Sequence, residues 1–236
     1  MRKLKEIATT PPLLGVLVRH GVAAGVEHCP VLRNLGEMCT VVDIGANRGQ
    51  FALAARHIWP KARIYSFEPL ERPAATYCTV FREDAAATLY QVAIGSQAGE
   101  MQINISKQDD SSSLLPITGV QERLFPGTGA VDRAVTEVRR LDDLLQWSDI
   151  SSPALLKIDV QGYELEVLCG CEALLDAFSW TYCELSFVEL YKGQALADEV
   201  ISWLYERGFV LRGIYNAAYA SEGWAVQADF LFEKIR

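Results

Sequence analysis

Val41-Val42-Asp43-Ile44-Gly45-Ala46-Asn47-Arg48-Gly49-Gln50-Phe51 reads as a buried strand, a glycine turn and the start of a helix. Thr40, Val41, Val42 and Ile44 form the apolar, β-branched run found in parallel strands covered on both faces. Gly45 supplies permissive backbone where the chain must turn and a ligand can approach closely. From Gln50 onward, Phe51, Leu53, Ala54, Ala55 and Ile58 take the spacing of a helix laid on a sheet. The stretch is half of a nucleotide-binding crossover, a unit that by itself fits any doubly wound protein.

Outward from it, residues 62–67 (ARIYSF) form a second strand ending in Glu68-Pro69. A helix over 72–82 leads to a third strand over 88–94, closed by Gly95. Residues 100–106 alternate like an antiparallel strand, and 109–113 form a polar loop. The stretch 116–129, with three Gly and two Pro, has little periodicity and reads as a functional or mobile loop. A strand over 135–141 and a short helix over 142–147 follow. The strand ALLKIDV (154–160) carries Asp159 near its end, and Gln161-Gly162 turns it into a helix near Tyr163. WTYCEL (180–185) repeats the pattern and carries Glu184. A helix over 196–206 and strands over 209–215 and 228–233 complete the chain. Such alternation predicts a mostly parallel sheet with helices on both faces.

Half of the 236 residues are hydrophobic, enough for one substantial core. The net charge of -8 argues against a nucleic-acid partner, whose backbone demands clustered Lys and Arg. Six Cys (29, 39, 78, 169, 171, 183) without a C-x-x-C pair read as reduced, mostly buried thiols in a cytoplasmic protein. Residues 1–36 form a separate lead-in carrying +3, with Arg2, Lys3, Lys5, Arg19 and Arg33 against Glu6 and Glu27. Thr10 before Pro11 and Pro12 reads as the N-cap of a helix through Leu13, Leu14, Leu17 and Val18. Its apolar run is far too short to span a membrane and has no clear cleavage site. Helices that cap the sheet or flank a cleft are the expectation; membrane-surface contact is the lesser alternative. The domain proper is then 37–236.

In an open α/β sheet, ligands bind beyond the carboxyl ends of the strands. Asp43, Glu68, Asp159 and Glu184 all fall at or next to those ends, and four carboxylates on one edge need something cationic or richly hydrogen-bonding between them. Glu68 stands 23 positions beyond Gly45, about where such folds place the acid that accepts ribose hydroxyls. The turn Gly45-x-x-x-Gly49 is not G-x-G-x-x-G, which disfavours NAD and FAD, and the absence of G-x-x-x-x-G-K-[ST] disfavours ATP.

Taken in order, VVDIGANRGQF, YSFEP, the SSSL loop, RLDDLL and LLKIDVQGYELEVL resemble the FkbM-type S-adenosylmethionine-dependent methyltransferases over roughly residues 38–215. The resemblance implies the class I methyltransferase (Rossmann-like) fold. Its sheet has seven strands in the order 3-2-1-4-5-7-6, with strand 7 antiparallel, here preceded by extra N-terminal helices. It also implies S-adenosylmethionine as cofactor and O-methylation of a small-molecule or glycan hydroxyl, on a sugar or polyketide-type natural product. A catalytically inactive cofactor-binding scaffold in a biosynthetic assembly is the alternative, and the family allows a homodimer.

Carried over residue by residue, Asp43, Gly45, Asn47 and Gly49, followed by Phe51, would surround the methionine portion of the cofactor. Glu68, with Pro69 beside it, would hold the ribose, and Val92 would sit near the adenine, although members often have Asn where Gln91 stands. Ser112 and Ser113 would border cofactor and acceptor. A sulfonium methyl is already activated, so the protein must chiefly align the acceptor oxygen and take its proton. Asp159 is the first candidate for base or metal ligand and Glu184 the second; binding the methionine ammonium or capping a helix is their alternative role. A divalent cation is not favoured, and no metal ligands are assigned. His20 and His28 belong to the lead-in, and His57 reads as a surface residue. The loop 106–133 and the N-terminal helices are expected to define the acceptor.

Overall fold

The computed structural model describes residues 6–235; Arg2, Lys3 and Lys5 of the basic lead-in lie outside them. Ten strands follow one another: β1 (Thr40–Ile44), β2 (Arg63–Phe67), β3 (Ala87–Tyr90), β4 (Ala93–Ile94), β5 (Gly99–Ser106), β6 (Ala130–Arg139), β7 (Ala154–Ile158), β8 (Trp180–Ser186), β9 (Phe209–Tyr219) and β10 (Ala225–Lys234). Seven of them form one sheet in the order β3-β2-β1-β7-β8-β10-β9. Counted within that sheet alone, the order is 3-2-1-4-5-7-6. β10 runs antiparallel to both β8 and β9, as a strand inserted by a closing hairpin must. β1 and β7, parallel neighbours at the centre, are buried at every position, which their β-branched and aliphatic residues allow.

The expected third strand over 88–94 is in fact two. Tyr90 still pairs with Phe67, but Ala93 and Ile94 leave to pair with Val138 and Arg139. They join a second sheet, β4-β6-β5, in which β5 lies antiparallel to β6. The break lets the chain turn at Gln91-Val92, beside the carboxyl end of β2. The stretch 116–129 is likewise not structureless. It holds the helix Gly119–Leu124, whose first turn is capped by the Thr118 hydroxyl accepting from Gln121 N at 3.3 Å. Leu115, Ile117, Val120, Leu124 and Phe125 pack there on Leu190, Tyr191, Ala220 and Val226.

Apolar residues fill both faces of the main sheet. On one face Ile7, Leu13, Val22, Val26, Val31 and Leu32 from the lead-in pack with Val41, Ala52, Ile64 and Tyr77. The helix Pro11–His20 begins after Thr10 as expected, yet the Thr10 hydroxyl donates to the Glu6 carbonyl instead of capping the helix. Only Leu13 of that helix is buried, and Val18 is 79% exposed. The cysteines are less buried than expected: Cys29, Cys171 and Cys183 are enclosed, whereas Cys39 and Cys78 are exposed and Cys169 is intermediate. His57 is exposed. No helix among the described residues is long and apolar enough to cross a membrane.

Candidate active site

The cleft lies at the carboxyl ends of β1, β2 and β7, and its floor is the turn after β1. Gly45 adopts φ +79°, and a Cβ there would stand 1.8 Å from the Asp159 carbonyl oxygen. Only glycine lets this turn rest against the end of β7. Gly45 and Ala46 both donate to the Phe67 carbonyl at 3.0 Å, which ties the turn to β2. Asn47, in the left-handed region at φ 45°, accepts from the Arg48 amide through its own side chain at 2.8 Å.

This geometry aims backbone donors at Glu68. Its Oε2 accepts from Asn47 N at 2.9 Å and its Oε1 from Leu70 N at 2.8 Å. Burial pushes the Glu68 carboxyl up to about 7, against the pull of those two amides. Each oxygen keeps an unused lone pair. Around it the wall is apolar, from Phe67, Leu70, Val92, Ile94, Ile103 and Leu114.

The structure brings Gly45, Asn47, Phe51, Glu68, Pro69, Val92, Ser112, Ser113 and Asp159 together on the wall of this one cleft. It does not bring Asp43, Gly49 or Glu184 there. Asp43 is fully buried beneath the turn and ion-pairs with Lys157 Nζ at 3.0 Å. Gly49, at φ +90°, backs onto Tyr77 and Phe81, and a Cβ would meet the Phe81 ring at 2.6 Å, so its glycine serves packing. Glu184 sits behind Gln161, whose Nε2 donates to it at 2.9 Å, while Gln227 Nε2 donates to its other oxygen at 2.9 Å. Burial, reinforced by the charges of Asp159, Asp229 and Glu164, raises its carboxyl well above the usual range.

Asp159 is the carboxylate that faces the opening, with its side chain 37% exposed. Gln161 Nε2 donates to its Oδ1 at 2.7 Å, and Lys157 Nζ stands 3.7 Å from Oδ2. Asp159 and Glu184 thus share an amide between them, and among the described residues no group of three or more His, Cys, Asp or Glu is placed to hold a metal ion. Glu164, buried with its carboxyl pushed up to about 7 by that burial, accepts from Val160 N and Gly162 N at 3.1 and 3.0 Å and pins the turn.

The serine loop closes the far side. Ser113 Oγ donates to the Gln161 carbonyl at 2.6 Å, and Ser112 Oγ accepts from Ser106 N at 3.1 Å, so both hydroxyls shape the loop. Arg48 reaches across the cleft to pair with Asp109.

Lys157, Gln161 and His28 line the cleft but were not among the sequence candidates. Lys157 donates to the Gly45 carbonyl at 3.0 Å. Burial works against its charge, but Asp43 and Asp159 raise it and keep it protonated. A lysine inside the otherwise apolar run ALLKIDV was the signal for it. Gln161, at φ 58°, also accepts from the Tyr191 hydroxyl at 2.7 Å. His28 arrives from the lead-in, where no local pattern marks it.

The family model "Methyltransferase FkbM domain" matches residues 43–211. The 2-O-methyltransferase NoeI of Sinorhizobium fredii is 31% identical over 165 residues, covering 65% of this chain and 66% of that protein. The 31-O-demethyl-FK506 methyltransferase FkbM of Streptomyces tacrolimicus is 28% identical over 72% of each chain. Among solved structures, precorrin-6y C5,15-methyltransferase from Geobacter metallireducens superposes with a TM-score of 0.50 at 12% identity, covering 89% of this chain and 88% of that one. At that identity the likeness establishes the class I methyltransferase fold alone.

Proposed function

The chain belongs to the FkbM methyltransferase domain family, whose members are S-adenosylmethionine-dependent enzymes, and on that footing we propose that it O-methylates a hydroxyl of a sugar or polyketide-type small molecule. The observation that carries this reading is the Glu68 cradle. A buried carboxylate whose two oxygens each accept one backbone amide and keep one lone pair fits a vicinal diol such as a ribose. The apolar side chains of Val92 and Phe67 on the same cleft wall suit an adenine. Gly45, Asn47 and Phe51 on the other side suit the methionine end, and the exposed Asp159 carboxylate offers its charge to the cationic part.

When bound, the cofactor supplies a methyl group already activated as a sulfonium. The work left to the chain is to bind, orient and deprotonate. Lys157, fixed on Asp43 and the Gly45 carbonyl, holds the turn rigid. Gln161, held by Tyr191 and Ser113, fixes the Asp159 carboxylate. Residues 1–36 are read as a cap beside the 37–236 catalytic domain, and with the loop 106–133 they frame the acceptor end. The names of two relatives, a 2-O-methyltransferase and a 31-O-demethyl-FK506 methyltransferase, support oxygen as the atom methylated. The same two names, both of methyltransferases, disfavour the alternative of a scaffold without catalysis.

Titration calorimetry with S-adenosylmethionine and S-adenosylhomocysteine tests the cofactor half of this reading. Saturable binding of both is expected. No heat from either at millimolar concentration refutes it.

A further inference from the structure

An O-methyltransferase has to dispose of the hydroxyl proton, and neither carboxylate expected to take it is well suited. Glu184 is half-buried behind Gln161, which donates to it, and Asp159 is committed to Gln161 and lies near Lys157. A different group is built for the task. Three strands that are neighbours in the sheet, β8, β10 and β9, contribute Tyr182, Asp229 and Asn216 to one cluster, in which Tyr182 and Asp229 are buried and Asn216 is exposed. The Tyr182 hydroxyl donates to Asp229 Oδ2 at 2.9 Å and Asn216 Nδ2 donates to the same oxygen at 2.7 Å. Onto this cluster the lead-in lays His28, its Nδ1 3.2 Å from the Tyr182 oxygen and 3.4 Å from Asp229 Oδ2.

The shorter contacts select the tautomer. Asp229 accepts only, and the Tyr182 hydrogen is already given to Asp229, so toward His28 both groups offer lone pairs; Asn216 Nδ2, 3.4 Å from the same His28 nitrogen, has its nearer partner in Asp229 at 2.7 Å. Burial alone would raise the Asp229 carboxyl; the hydrogen bonds it accepts from His28, Asn216 and Tyr182 hold it below its ordinary value. Burial and the Asp229 charge raise the Tyr182 phenol, so it stays a donor. Neutral His28 therefore carries its hydrogen on Nδ1 and leaves Nε2 bare. Nε2 has no hydrogen-bond partner among the described residues, and the ring lines the cleft.

The placement is reinforced from both sides. The imidazole stands edge-on to Phe51 at 5.3 Å and to Tyr182 at 5.7 Å between centroids. Gly25 N donates to the Gln50 carbonyl at 2.8 Å, clamping the lead-in to the helix that follows the cofactor turn. A Cβ at Gly25 would come within 3.0 Å of His28 Cδ2, so glycine keeps space beside the basic edge of the ring.

We propose that His28, oriented by Asp229 and Tyr182, is the general base that takes the proton from the acceptor hydroxyl. The inference rests on the methyltransferase reading above. As the acceptor oxygen forms its bond to the methyl carbon, the carbon–sulfur bond breaks with its electron pair left on sulfur. The hydroxyl proton passes to His28 Nε2, and Asp229 balances the imidazolium until solvent removes that proton. Asp229 is a positioning residue in this scheme. The lead-in, whose sequence says nothing of chemistry, thereby supplies the base.

Two measurements test it. Imidazole nitrogen-15 NMR of the full chain, at a pH where His28 is neutral, is expected to show hydrogen on Nδ1 and a bare Nε2; hydrogen on Nε2 overturns the proposal. The second uses methyl-tritiated S-adenosylmethionine with a panel of methyl glycosides and polyketide macrolactones. His28→Asn keeps an amide donor toward Asp229 but removes Nε2, so kcat should fall about 100-fold or more. S-adenosylhomocysteine affinity should stay within about twofold, because no cofactor contact is touched. The other titratable or charged groups around the ring are Glu27, Asp43, Lys157, Tyr182 and Asp229, all retained in the variant. An active wild type with an unaffected His28→Asn overturns the role of His28 and leaves the function standing. A wild type that binds S-adenosylhomocysteine but methylates no hydroxyl overturns both.

Discussion

Replacing Glu68 by Gln isolates the group to which the proposed function assigns the cofactor's diol. The side chain is 5% exposed and keeps its shape, so the change is chiefly one of charge and hydrogen-bond polarity. The carboxylate accepts from Asn47 N and Leu70 N; an amide can accept from one and must turn its own N–H toward the other. The cost is one unsatisfied buried donor plus weaker acceptance from the bound diol, about 1–3 kcal/mol in binding, or about 5- to 150-fold in Kd for S-adenosylhomocysteine. Ionisation sharpens the test. Burial holds the free carboxyl at about 7 against an ordinary value of 4.5, and two hydroxyl donors favour the ionised form. Wild-type affinity should therefore fall as pH drops below about 7, approaching tenfold per unit, with a proton released on binding. Glu68→Gln should lose that dependence. Calorimetry in buffers of different ionisation enthalpy reads both quantities. A Glu68→Gln protein with wild-type affinity and the same pH slope refutes the assignment of Glu68 to the diol.

The same burial makes a stability prediction. Glu68 and Glu164 both have folded values of about 7, above the unfolded value of 4.5, so the folded chain holds more protons between those limits. The contribution is fully present below about pH 4.5 and is lost as pH rises through about 7; urea unfolding of the free protein should show it, and saturating S-adenosylhomocysteine should reverse much of the Glu68 part. Lys157→Met leaves Asp43 buried without its partner and should cost about 3–5 kcal/mol by urea unfolding; a loss under 1 kcal/mol shows that the ion pair does not hold the turn. Gly45→Ala puts a Cβ into the Asp159 carbonyl and should reduce the melting temperature far more than Gly21→Ala. Gly21 has a similar φ with open space around it, where only the left-handed backbone penalty of about 1–2 kcal/mol applies.

The main sheet was legible in the sequence because its central strands announce themselves. TVVDI and ALLKI are continuous apolar runs of a kind that only doubly covered strands need, and each ends at a glycine turn or a carboxylate. The break between β3 and β4 was hidden because 88–94 is apolar but for Thr88 and Gln91, and one polar residue at the break does not tell one strand from two that change sheets. The cleft wall could be read from Gly45 and Glu68, which act through local backbone geometry at fixed spacing. Gly49 and Glu184 matched the same pattern but face Phe81 and Gln227, contacts set by elements distant in sequence. His28 shows the limit most clearly, since its partners lie 154 and 201 positions away, on β8 and β10. A buried acid such as Asp229 in the apolar run ADFLF was the one sign that something polar had to meet it.

The central claim is methyl transfer to oxygen, and mass spectrometry tests it most directly. The full chain is incubated with trideuteromethyl S-adenosylmethionine and fractionated glycans and secondary metabolites from host cells. The account predicts a product carrying one trideuteromethyl group on an oxygen, formed together with S-adenosylhomocysteine. Binding of the cofactor without labelled product in any fraction, or label found on nitrogen or carbon, contradicts it.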